Sequence, residues 1–133
     1  MNITENMYYG FGKVALAIAM ADGQVDHNEI KFIQERIKEI DKEDHIDLSL
    51  VNIVFHDYLK NGSSFSAEEM LENGIHEFHL GDNHLTHKLA YLFRTIIRGL
   101  AEAEPPTTFE ENEAMQIFLK FLEDREDTVT KPY

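Results

Sequence analysis

The sequence predicts an all-α fold, a compact antiparallel bundle of about six helices, on three observations. Apolar residues recur at three- and four-residue spacing along most of the chain. Short polar residues followed three positions later by glutamate mark helix starts, and no stretch alternates β-branched with polar residues. At 133 residues and 43% hydrophobic content the chain can build one continuous core. The organisation predicted is therefore a single domain over residues 1–125 with a flexible tail over 126–133.

The first helix runs from Ile3 to Ala21. It begins amphipathic, with Ile3, Met7 and Phe11, and becomes apolar on nearly every side from Val14 to Met20, the pattern of a central, buried helix. Gly10, Ala17 and Ala21 leave a small-residue face on which a neighbour can approach closely. Asp22-Gly23 breaks the helix, and Asp26 with Glu29 forms a capping-box pair that opens a second one. Ile30, Ile33, Ile37 and Ile40 line its inner face, so the two helices are expected to form a hairpin.

A polar link from Lys42 to Asp47 precedes a third helix from about Leu48 to Lys60, which Asn61-Gly62-Ser63-Ser64 ends. Ser66 with Glu69 opens a fourth towards Leu80, although Gly74 interrupts its pattern. After Gly81-Asp82-Asn83 a fifth helix spans about His84 to Glu102, with Leu85, Leu89, Leu92, Phe93, Ile96, Ile97 and Leu100 facing inward. Pro105-Pro106 stops it. Thr108 with Glu111 opens the sixth, carried by Met115, Phe118, Leu119 and Leu122 to about Asp124.

A shift of 82 positions lays the first helical pair on the last without a gap. It superimposes Phe11 on Phe93, Ala19 on Ala101, Asp22 on Glu104, Glu29 on Glu111 and Ile37 on Leu119. Amphipathic pairs of similar length share apolar spacing anyway, but here the acidic corners and caps coincide too.

Composition narrows the function. Twelve Lys and Arg against 25 Asp and Glu give a formal charge of −13, so nucleic-acid backbones and anionic lipid surfaces are disfavoured. Cations and basic protein partners are favoured instead. Cysteine is absent, which removes disulfides, thiolate metal sites and cysteine nucleophiles and fits a cytoplasmic setting. The longest strongly apolar stretch, Val14 to Ala21, is far shorter than the roughly 20 residues of a bilayer span. Glu-x-x-His pairs, phosphate-binding glycine loops and nucleophile elbows are missing, so no enzyme is expected.

The run Ala19-Met20-Ala21-Asp22-Gly23-Gln24-Val25-Asp26-His27-Asn28-Glu29 resembles the signature of TerB-like domains, a family that includes tellurite-resistance TerB and the N-terminal cytosolic region of the co-chaperone DjlA. The close likeness covers residues 14–37. It implies an all-helical fold of two related halves, acidic corners that hold a divalent cation in some members, and a role in tellurite or general stress response. In the second half the corner reads Ala103-Glu104-Pro105-Pro106 where the family would have a second Ala-Asp-Gly, so half of any shared acidic site is altered.

Asp22, Asp26 and Glu29 are candidate metal ligands, with Glu104 and Glu111, and more weakly Glu102, from the second corner. Their hard oxygens suit Ca²⁺ or Mg²⁺, while Asp26 and Glu29 serve equally as helix caps. The alternative reading is a small metal-dependent phosphohydrolase of the HD type, centred on His56-Asp57 with His27 or His45 and Asp124. His76, His79, His84 and His87 form a further cluster whose pairs share helical faces and whose imidazoles suit Zn²⁺, Ni²⁺ or Cu²⁺.

Overall fold

A computed structural model describes residues 2–21, 23, 25–103 and 107–127. It is all-helical: α1 (Ile3–Met20), α2 (His27–Asp44), α3 (Ser49–Asn61), α4 (Ala67–Leu80), α5 (His87–Glu102) and α6 (Phe109–Glu126), with a short 3₁₀ turn over Asp82–His84. No strand occurs among the described residues.

Local chemistry explains where the helices begin. Capping boxes open α1 (Asn2 with Glu5), α2 (Asp26 with Glu29), α4 (Ser66 with Glu69) and α6 (Thr108 with Glu111). Each answers two otherwise orphaned backbone donors. The fifth helix starts three residues later than its apolar pattern suggested. Leu85 is extended, and the Thr86 hydroxyl accepts the Leu89 N–H at 3.1 Å, which fixes the start at His87. The second helix runs past Lys42 to Asp44, where His45 adopts a left-handed conformation and Asp44 pairs with Lys88 at 2.6 Å. The sixth helix runs to Glu126, the first residue of the expected tail, and residues 128–133 lie outside the described set.

The first helix is the central element, and Met7, Phe11 and all residues from Val14 to Ala19 are buried. Its most extensive partner is α4. Gly74 does not interrupt that helix, because it marks the point where α1 crosses. A Cβ on Gly74 would stand 2.8 Å from the Val14 nitrogen and 2.9 Å from the Gly10 carbonyl, so the two backbones touch through glycine on both sides. Lys13 closes the crossing, donating to Asn73 at 2.6 Å and Glu77 at 2.7 Å.

The repeat has a structural counterpart, with one departure. The second helix of each unit packs on the first helix of the other: α2 on α5, and α6 on α1. Phe11 and Phe93, superimposed by the repeat, stack on each other with centroids 4.3 Å apart. α6 also lies along α5, whereas α2 turns to α3. Among the described residues the first unit is thus an open corner and not the expected hairpin, because α3 and α4 take the flanks of α1.

One exposed loop charge caps the start of α3. Asp47 Oδ1 accepts the Ser49 N–H at 2.9 Å at the start of α3, and hydrogen bonding to Ser49 holds its carboxyl below the usual aspartate range. Burial pushes the nearby Tyr8 phenol up, and the Asp47 charge adds to that effect. A folded-state pKa below the unfolded one means that the unfolded chain takes up the proton first as pH falls. Asp47→Ala, which removes the acceptor of the Ser49 N–H, is therefore expected to lower the melting temperature at neutral pH, consistent with losing about 0.5–1 kcal/mol of cap energy. The gap to the parent should close as pH drops through the lowered Asp47 pKa; a pH-independent gap in thermal melts refutes the assignment.

Candidate functional site

The acidic candidates separate into three groups. Asp22 and Glu104 lie outside the described residues. Asp26, Glu29 and Glu111 hold helix starts. Asp26 Oδ1 accepts the Asn28 N–H at 2.7 Å, and Glu29 Oε1 accepts the Asp26 N–H at 3.0 Å. Glu111 Oε1 accepts the Thr108 N–H at 3.1 Å and its hydroxyl at 3.0 Å. Glu29 and Glu111 are only 1% and 3% exposed, so the repeat-related glutamates do the same buried work at the starts of α2 and α6. Glu102 is exposed at the end of α5.

The residues of the HD-type reading stay apart. His56 and Asp57 are both exposed on α3, and Asp57 Oδ1 accepts from the Asn61 amide at 2.8 Å. His27 opens α2, His45 closes it, and Asp124 pairs with Lys120 at 3.3 Å on α6. Among the described residues, no group of three or more His, Cys, Asp or Glu side chains is placed to hold a metal ion.

The histidine cluster resolves into two ion-pair clasps. His79 Nδ1 lies 2.8 Å from Asp82 Oδ2, and the buried Asp82 also receives the Arg125 Nε at 2.8 Å. His87 Nδ1 lies 3.1 Å from Glu126 Oε2, whose other oxygen takes both terminal nitrogens of Arg94 at 2.7 and 3.2 Å. Arg125 and Glu126 are neighbours, so the two clasps fasten the end of α6 to the α4–α5 connection and to α5. His76 and His84 are exposed outside these pairs.

The surface that gathers unused charge lies elsewhere. A groove of about 400 Å³ runs between the first turns of α4 and α6 beside Ala21, the last described residue before the Asp22 corner. Its apolar lining is the buried Leu71, the half-buried Ala114 and the exposed Ile117; its rim is Glu68, Glu110 and Glu113. These three carboxylates are exposed, make no hydrogen bond or ion pair among the described residues, and face no basic side chain in the groove. A local pattern places two of them. Ser66-Ala67-Glu68-Glu69 and Thr108-Phe109-Glu110-Glu111 repeat one arrangement, in which the last glutamate folds back to cap and the preceding one is left for the groove. That pattern was visible in the sequence, but the approach of α4 to α6 was not.

No family model, curated protein or solved structure matches this chain. No helix among the described residues is long and apolar enough to cross a membrane.

Proposed function

We propose that this chain is a non-catalytic, cytoplasmic helical interaction module, TerB-like and stress-associated, which takes a basic amphipathic segment of a partner protein in the acidic groove beside the Ala21 corner. The single observation that supports this reading is the groove itself. Its apolar lining of Leu71, Ala114 and Ile117 suits leucine-like side chains, and its rim of Glu68, Glu110 and Glu113 suits lysine or arginine. The chain's charge of −13 steers such a segment inward from a distance. A divalent cation is the competing occupant of this negatively charged chain, its candidates Asp22 and Glu104 lying outside the described residues.

Calorimetric titration with a lysine- and leucine-bearing helical peptide tests the partner. The expected result is salt-sensitive binding that the double change Glu110→Lys and Glu113→Lys weakens about tenfold, since each exposed charge contributes up to about 1 kcal/mol. Affinity unchanged by the double variant sinks the groove assignment. Thermal melts decide the cation: Ca²⁺ or Mg²⁺ at a hundred times Kd raises stability by about 2.7 kcal/mol, and an indifferent melt removes it.

A further inference from the structure

A second pocket differs in chemistry from the acidic groove. It lies between α1, α3 and the connection from α3 to α4, and three rings from separate parts of the chain line it: Tyr9, Tyr58 and Phe65. Leu16 and Met70 give it a buried apolar base, and Asp57 supplies a carboxylate. Asn61 holds Asp57 through one oxygen at 2.8 Å, which orients the group without neutralising it.

Size and charge narrow the occupant. The pocket measures about 200 Å³, below the roughly 300–1,000 Å³ of sites that enclose whole drug-sized ligands, so it fits a headgroup or the end of a side chain. Aromatic faces carry negative potential and attract cations within about 6 Å of the ring centre. Tyr9 already does so in this fold, because the Lys13 Nζ stands 4.8 Å from its centroid. That lysine is matched by Glu77 at 2.7 Å, so it leaves the pocket without excess positive charge. A divalent metal ion favours several charged oxygens, where the pocket offers one carboxylate beside the neutral hydroxyls of Ser63 and Ser64, and Ser63 Oγ is already bonded to the Phe65 backbone. A neutral hydrocarbon would use the rings and gain nothing from Asp57. A methylated ammonium uses both, since its methyl groups pack on rings and its diffuse charge meets the carboxylate without demanding a full ligand shell.

We infer that the Tyr9, Tyr58, Phe65 and Asp57 pocket binds a quaternary methylammonium group. NMR titration of the full chain with choline, with its neutral tert-butyl isostere, and with peptides bearing trimethylated or unmodified lysine tests this. Choline is expected to perturb the Tyr9, Tyr58 and Phe65 ring signals saturably and to bind about three- to fivefold more tightly than the isostere. Tyr58→Leu should erase most of that preference and Tyr58→Phe should keep it. Asp57→Asn, at an exposed position that leaves the core intact, should weaken choline and not the isostere. Tighter binding of the trimethyl-lysine peptide than of choline assigns the group to a partner's side chain, and equal binding assigns it to a free solute. Equal binding of choline and isostere, equal binding of the modified and unmodified peptides, or ring signals that do not move overturns the inference. Charge reversal at Glu110 and Glu113 leaves these results unchanged, which separates this pocket from the acidic groove.

Discussion

Gly10→Ala is expected to destabilise the fold by about 3 kcal/mol, although the same change in an ordinary helix interior stabilises by roughly 0.5–1 kcal/mol. The sign reverses because of what lies opposite. A Cβ on Gly10 would stand 2.6 Å from the Gly74 carbonyl and collide with the backbone nitrogen of Phe78. Backbone atoms of a packed helix cannot step aside as a side chain can, so α1 and α4 would have to separate along their whole contact. Gly99→Ala is the matched control. The atoms nearest to the added methyl there all belong to the ring of the partly buried Phe32, a side chain that can rotate away, and the change should stay within about 1 kcal/mol of the parent. Urea unfolding of both variants gives the comparison. A Gly10→Ala protein as stable as its parent means that the two helices do not approach at this distance.

Phe93→Ala should cost about 3–5 kcal/mol, a large share of the 5–15 kcal/mol that holds a domain of ordinary stability together. Phe93 is fully buried and meets Phe11 at 4.3 Å, Phe78 at 5.5 Å and Tyr8 at 6.4 Å, so its loss opens a cavity where α1, α4 and α5 converge. Tyr91→Ala, on the same helix but 59% exposed, should change stability by no more than about 0.5 kcal/mol. A double-mutant cycle pairing Phe11→Leu with Phe93→Leu should show a coupling of about 0.5–1.5 kcal/mol for the stacked pair. Additive losses would mean that the two rings are not in contact, and the repeat would lose its shared centre.

Particular residues show why some of this was legible beforehand. Asp26 with Glu29, Ser66 with Glu69 and Thr108 with Glu111 act within one turn of their own helix, so the helix starts they predict are the ones found. Gly74 misled for the opposite reason: its propensity is local, but its role is set by α1, sixty or more positions away in the chain. The acids around the helix starts divide on the same principle. Their caps were readable from spacing, whereas the exposed Glu68, Glu110 and Glu113 became a rim only when α4 met α6. Asp82 and Arg125 gave no signal in sequence, because a buried ion pair between distant segments leaves no periodicity behind.

By itself the sequence determined the all-α class, the helix starts marked by capping boxes and most of the inward faces, since periodicity and capping depend on neighbours within four or five positions. It also set the strong negative charge, which is a sum and needs no geometry. The tertiary structure alone decided that α2 leaves α1 for α5 and α3, that two glycines let α1 and α4 touch, and which carboxylates are sealed as caps and which face a groove. Those outcomes rest on steric fit between surfaces remote along the chain, which no local pattern encodes.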